Sequence, residues 1–153
     1  MGRKANNKRK NNKGFSLVEL IIVIAIMAIL VGVLAPQFAK YLGKSKTATD
    51  IQNAQQMASA ISAQFAEDAT KSTDKILPEV NANARYNVTD GTEAGDTAVQ
   101  GVIGGKAQVK EGTDNKFFVT WDANGKVTVY VGKDNKTTTT LYPDVTAGSA
   151  WDK

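Results

Sequence analysis

Residues 13–36 read KGFSLVELIIVIAIMAILVGVLAP, and residues 20–35 of this stretch contain no polar side chain. At a rise of 1.5 Å per residue, a helix over residues 15–35 is roughly 30 Å long, which matches the hydrocarbon core of a bilayer. One acidic residue, Glu19, lies near the start of the apolar run. The stretch therefore predicts a membrane-spanning helix that carries a single carboxylate.

The positive charge of the chain is concentrated in front of this helix. Of the 19 basic residues, six lie in the first 14 residues, where no acidic residue occurs: Arg3, Lys4, Lys8, Arg9, Lys10 and Lys13. The other 13 basic residues are matched by 15 acidic ones, so the rest of the chain is nearly neutral. Basic residues beside a membrane segment tend to stay cytoplasmic. Only three lysines follow the helix closely, so the C-terminal body is predicted on the outer side: Lys40, Lys44 and Lys46.

The composition argues against several classes of function. The chain contains no cysteine and no histidine, which excludes a disulfide framework, a thiolate metal site and a Ser-His-Asp triad. Asp122 and Asn124 before Gly125 are better explained as a turn than as part of a calcium loop. The aromatic residues of the C-terminal half have too few basic neighbours for nucleic-acid binding. We therefore predict no catalytic residue, no metal site and no cofactor.

A second helical pattern follows the apolar run. Apolar residues recur at spacings of three and four, as on one face of an amphipathic helix: Ile51, Ala54, Ala58, Ile61 and Phe65. We therefore predict one helix from about residue 15 to about residue 70, apolar in its first half and amphipathic in its second. The apolar stripe of the second half requires a partner that covers it.

The C-terminal half contains the predicted partner. Residues 116–121 (KFFVTW) and 126–132 (KVTVYVG) are rich in β-branched and aromatic residues, and residues 122–125 join them as a hairpin turn. A third antiparallel strand is predicted from the following threonines to Tyr142, ended by Pro143. Residues 81–115 are predicted to form a long loop with a short strand around residues 99–103. Alternation places one set of side chains together to cover the helix, giving an α+β fold: Phe117, Val119 and Trp121 on the first strand, and Val127, Val129 and Val131 on the second.

The combination of a basic leader that ends in Gly14, an aromatic Phe15 and a carboxylate at Glu19 within an apolar helix is specific. It strongly resembles the N-terminus of type IV pilins and their pseudopilin relatives, which are made as prepilins with a class III leader peptide. The resemblance covers roughly residues 8–40 as a motif. Beyond that it extends only to the architecture, a long helix followed by a small antiparallel sheet.

The resemblance implies a role for each motif residue. Gly14 matches the residue before the prepilin peptidase cut, where a missing Cβ lets an extended backbone approach the peptidase closely. Phe15 matches the new N-terminal residue, which is N-methylated. A carboxylate in a membrane helix costs about 2.5–3.5 kcal/mol, so Glu19 is expected to have a partner. In the family, that partner is the N-terminal ammonium of the neighbouring subunit during assembly.

Two further features follow from the family pattern. Pro36 lacks an amide proton and lies one turn after Gly32, and the two residues together favour a kink or local melting of the helix in the filament. Ala28 stands where many relatives have another glycine and favours helix instead. The chain also lacks the cysteine pair that closes a C-terminal loop in many pilins. Some other interaction is therefore expected to hold that end.

The organisation implied is a cleaved leader (1–14), a transmembrane and assembly helix (15–39) and an extracellular headgroup (40–153). The implied function is a pilin that polymerises into a type IV pilus for adhesion, motility or aggregation. The expected partners are copies of the chain, prepilin peptidase, the assembly platform, minor pilins and, before assembly, membrane lipid. The expected location is the cytoplasmic membrane and then the surface pilus. Two alternatives stay open: a pseudopilin of a type II secretion or DNA-uptake machine, and a surface-anchored enzyme or ligand-binding module.

Overall fold

The computed structural model describes residues 14–70, 75–78, 84–136 and 138–152. The leader before Gly14 and residues 81–83 of the predicted loop lie outside the described residues. The chain divides into two compact units, Met1–Lys40 and Tyr41–Lys153. The predicted α+β class is confirmed, with elements in this order: α1 (Leu17–Ala69), β1 (Tyr86–Asn87), α2 (Ala94–Val102), β2 (Lys116–Trp121), β3 (Val127–Gly132) and β4 (Thr138–Tyr142).

Helix α1 is 53 residues long. It begins two residues after the predicted start and ends one residue before the predicted end. In the second unit its predicted apolar stripe is confirmed, because Ala54, Ala58 and Ile61 are at most 1% exposed. Ile51 and Phe65 pack partly buried against the same cluster. The stripe buries one face of the helix, and most polar residues between its members face solvent.

The sheet has the strand order β1-β2-β3-β4, and every neighbouring pair is antiparallel. The predicted hairpin is confirmed, and its register places three apolar pairs on the inner face: Phe117 opposite Val131, Val119 opposite Val129, and Trp121 opposite Val127. All six side chains are at most 4% exposed and share one hydrophobic cluster with the buried stripe of α1. The predicted packing of helix on sheet is therefore present in the second unit.

The hairpin turn fits both the sheet and the helix. The Asp122 carboxylate accepts hydrogen bonds from the amides of Asn124 and Lys126, each at 2.9 Å, which closes the turn. Gly125 has a φ of +77°, a conformation that glycine adopts without strain. A Cβ at this position would lie 2.6 Å from Cδ1 of Phe65. Glycine is therefore required here by the turn and by the close approach of α1.

The short strand predicted around residues 99–103 is wrong, because α2 occupies most of that range. Its buried residues follow helical spacing, but two of the three are polar: Asp96, Val99 and Gln100. The Asp96 carboxylate accepts a hydrogen bond from the Asn87 amide at 2.8 Å, and the Gln100 side chain donates to the Asn87 carbonyl at 3.3 Å. These hydrogen bonds let polar residues occupy the inner face of α2. The helix therefore has no run of apolar residues at helical spacing by which the sequence would predict it.

A buried carboxylate also fixes the chain where it leaves α1. Asp68 is 4% exposed, and its Oδ2 accepts hydrogen bonds from the amides of Ile76 at 3.1 Å and Leu77 at 2.8 Å. Gln64, one turn earlier on the helix, donates to Oδ1 at 2.9 Å. The end of the helix therefore supplies the acceptors for the returning chain, whose Leu77 joins the core.

Candidate processing and assembly site

The residues at the predicted cleavage point lie outside the helix. Gly14, Phe15 and Ser16 have no regular secondary structure, and the Phe15 side chain is 85% exposed. A Cβ at Gly14 would meet no described atom within 4 Å. Packing among the described residues therefore gives no reason for a glycine at this position. A requirement for glycine would come from another molecule that binds this segment.

Glu19 makes a local hydrogen bond that sequence reasoning missed. Its Oε2 accepts from the backbone amide of Ser16 at 3.2 Å, and the Leu20 amide donates to the Ser16 carbonyl at 3.2 Å. Ser16 and Glu19 thus form part of a capping box, in which the third residue of a helix satisfies the amide of the cap residue. The signal was present in the sequence as Ser16-Leu17-Val18-Glu19. The carboxylate therefore has a role within the chain, the capping of α1.

The first unit shows an apolar helix without a covered face. Its large apolar side chains in residues 15–35 are from 40% exposed at Val23 to 85% at Phe15. Within the described residues, α1 is the one helix long and apolar enough to cross a membrane. A helix that is hydrophobic on all sides is typical of a membrane span or of the centre of a helix bundle. The helix therefore requires lipid or other helices around it.

Gly32 and Pro36 both lie inside α1, which is helical from end to end. Pro36 has no amide proton, so it cannot donate to the carbonyl of Gly32 four residues earlier, as an ordinary helical residue would. A Cβ at Gly32 would meet no described atom within 4 Å. No melted segment occurs at either position in the described helix, and melting on assembly stays a prediction.

Two titratable groups of the second unit, Tyr86 and Asp90, have pKa values shifted by their surroundings. Burial raises the pKa of the Tyr86 phenol, and the Asp96 carboxylate nearby raises it further. The hydrogen bond from Lys116, whose Nζ lies 2.9 Å from Oδ2 of Asp90, lowers the pKa of that exposed carboxyl group. Among the described residues, no three acidic side chains come together as a set that could hold a metal ion. The shifted pKa values of Tyr86 and Asp90 are thus explained by burial and by neighbouring groups within the second unit.

Comparison with known proteins agrees with the N-terminal motif. Residues 9–35 match the family described as the prokaryotic N-terminal methylation motif. No solved structure matches the chain. The motif match includes Phe15, Glu19 and most of the apolar helix, so it covers the residues on which the resemblance depends.

Curated relatives extend the similarity beyond the motif. The chain is 33% identical over 87 residues to prepilin peptidase-dependent protein A of Clostridium perfringens, covering 56% of this chain and 62% of that protein. It is 32% identical over 95 residues to fimbrial protein Q of Moraxella bovis, covering 62% and 60%. It is 29% identical over 141 residues to the type IV major fimbrial protein FimA of Dichelobacter nodosus, covering 88% and 85%.

The matches to the first two relatives span about three fifths of their length. The predicted resemblance is confirmed by the motif, by these relatives and by the helix-and-sheet architecture. The chain carries the N-terminal methylation motif and is similar to prepilin peptidase-dependent and type IV fimbrial proteins.

Proposed function

We propose that the chain is a pilin, the structural subunit of a type IV pilus that serves adhesion, motility or aggregation. The observation that carries this proposal is the uncovered apolar helix of the first unit, whose apolar stretch to residue 35 lies within the matched methylation motif. Such a helix can lie in lipid as a precursor and then in a bundle of identical helices as a filament. The family is structural, and we assign the chain no catalytic role and no cofactor.

The proposed course begins in the cytoplasmic membrane. Prepilin peptidase cuts after Gly14 and removes the six basic residues that hold the N-terminus inside, and Phe15 becomes the methylated N-terminal residue. The exposed, non-helical backbone of residues 14–16 supports this, since a peptidase binds an extended chain. The assembly platform and minor pilins then add the subunit to the filament. Residues 40–153 form its extracellular surface.

The exposed cleavage segment gives the first prediction. Gly14→Val adds a branched side chain where the peptidase is proposed to approach the backbone, so cleavage is expected to fail. Uncut precursor should accumulate in the membrane at a normal expression level. The measurement is the size of the protein in membrane fractions, with mass spectrometry of its N-terminal peptide.

Gly43→Val is the matched control for that experiment. It makes the same change at a glycine of α1 where a Cβ would also meet no described atom within 4 Å. This variant should be cut as efficiently as the wild type. A mature-sized band in the Gly14→Val variant would contradict the assignment of Gly14 as the cleavage position.

Electron microscopy of material sheared from the cell surface tests the function as a whole. A pilin should appear as long filaments whose subunits begin at Phe15 in N-terminal sequencing. A pseudopilin of a secretion or DNA-uptake machine would be processed in the same way but would leave no long surface filament. A processed subunit without filaments would therefore overturn the pilus proposal and favour that alternative.

A further inference from the structure

Asp50 is a buried carboxylate in the part of α1 that belongs to the second unit, and it is 0% exposed. Its Oδ1 accepts a hydrogen bond from the Lys110 amide at 2.7 Å. Its Oδ2 accepts two more, from the Glu111 amide at 2.9 Å and from Nε1 of the Trp151 indole at 3.0 Å. A carboxylate is buried at acceptable cost only when its oxygens are satisfied in this way. One side chain thus joins the helix to two distant segments.

One of the two segments bound by Asp50 contains Trp151. We call it the C-terminal segment and define it as residues 147–152. Before it, Thr146 is joined to β4, because its amide donates to the Thr140 carbonyl and its hydroxyl accepts from the Thr140 amide, both at 3.0 Å. Within the described residues, the other hydrogen bonds of the segment stay inside residues 146–152. Trp151 is its one buried residue, at 8% exposure. The indole is therefore its long-range attachment.

We propose that Asp50 is a noncovalent clamp that holds the C-terminal segment against α1. The chain contains no cysteine, so no disulfide can fix this end. Trp151 supplies both an apolar ring that enters the core cluster and a hydrogen-bond donor that reaches Asp50. Loss of the clamp releases the segment while the sheet stays folded. This proposal does not depend on filament formation.

Asp50→Asn is the most direct test, because asparagine has nearly the same shape but only one acceptor oxygen. Its amide group would face a donor where Asp50 now accepts hydrogen bonds. We expect hydrogen exchange at the Trp151 indole and at the Ser149 and Asp152 amides to become at least about tenfold faster. Exchange in β2 and β3 should stay at the wild-type rate. The measurement is exchange by NMR on the full chain in detergent micelles.

Asp144→Asn is the matched control, since it removes the same charge from an exposed aspartate near the same end. It should leave every exchange rate at the wild-type value. Trp151→Phe is an independent variant that keeps an aromatic ring and removes the indole donor, together with part of the buried ring volume. It should speed exchange at Ser149 and Asp152 while the amides of Lys110 and Glu111, still bound by Asp50, remain protected.

Two outcomes would overturn the proposal. If Asp50→Asn speeds exchange in β2 and β3 by the same factor as in the C-terminal segment, Asp50 supports the whole unit and is not a clamp for one end. If Trp151→Phe leaves Ser149 and Asp152 at wild-type rates, packing of the aromatic ring holds the segment and the hydrogen bond to Asp50 does not.

Discussion

Ile61→Asp is expected to unfold the second unit of the chain. Ile61 is 0% exposed in the cluster between α1 and the sheet. An aspartate there would be an unpaired charge among apolar side chains, which costs several kcal/mol, whereas a small domain is stable by about 5–15 kcal/mol. The expected loss is therefore a large part of the total stability and should lower the melting temperature by more than about 10 °C.

The assay uses a fragment that begins at about Lys40, close to the boundary between the two units. Without the apolar half of α1, this fragment is expected to be soluble and monomeric. Its circular dichroism should show both helix and sheet. Melting followed by circular dichroism then gives the stability of the wild type and of each variant.

Ser62→Asp provides the comparison, because it places the same carboxylate one residue away on the exposed face of α1. That variant should melt close to the wild type, since a surface carboxylate keeps its water. A melting temperature for Ile61→Asp within about 2 °C of the wild type would show that the packing of helix on sheet is not what stabilises the unit.

The helix and the hairpin were predictable because their periods are carried by apolar residues. In α1, Ala54, Ala58 and Ile61 recur with the helical spacing and are all buried. In β2 and β3, every second residue is apolar and lies in one buried cluster with the stripe of α1. The side chains that bury these elements are also the ones that reveal them in the sequence.

The features that were missed, helix α2 and the contacts that fix the chain to α1, depend on buried polar residues. Asp96 and Gln100 occupy the inner face of α2, and Asp50 and Asp68 occupy buried positions on α1. Each bonds to groups distant in the sequence, mostly backbone amides or carbonyls of loops, a pairing that no local pattern reveals. A sequence shows where the carboxylates lie along the chain, but it does not show which backbone amides will donate hydrogen bonds to them in the fold. The fixing of the C-terminal end was unpredictable for this reason.

The positions of the candidate residues follow from the sequence motif, whereas their roles stay predictions. Gly14 and Phe15 lie exposed before the helix, as cleavage requires, but the peptidase that would act on them is a separate molecule. For Glu19 the structure adds a local role, the hydrogen bond from the Ser16 amide. Two explanations for this carboxylate now compete, one within the helix and one between subunits. The two explanations predict different filament yields when Glu19 is replaced by glutamine, a neutral residue that still accepts hydrogen bonds.

The charge of Glu19 is needed only if its partner is charged. A capping box accepts glutamine as well as glutamate, because either side chain can accept a hydrogen bond from the Ser16 amide. Pairing with the N-terminal ammonium of a neighbouring subunit requires the negative charge. In a dry helix bundle such a pair satisfies both groups, whereas one group alone remains a penalty. Glu19→Gln therefore separates capping from assembly, and Glu19→Ala removes both.

Glu19→Ala and Glu19→Gln are both expected to abolish or greatly reduce filaments while membrane insertion and cleavage after Gly14 stay largely intact. Insertion should be unchanged or improved, because a carboxylate in a membrane helix costs about 2.5–3.5 kcal/mol. The measurement compares the amount of sheared filament with the amount of processed subunit in the membrane. Wild-type yields from Glu19→Gln, with loss only in Glu19→Ala, would show that Glu19 acts through the helix cap. Wild-type yields from both would show that assembly needs neither the charge of Glu19 nor its hydrogen bond to the Ser16 amide.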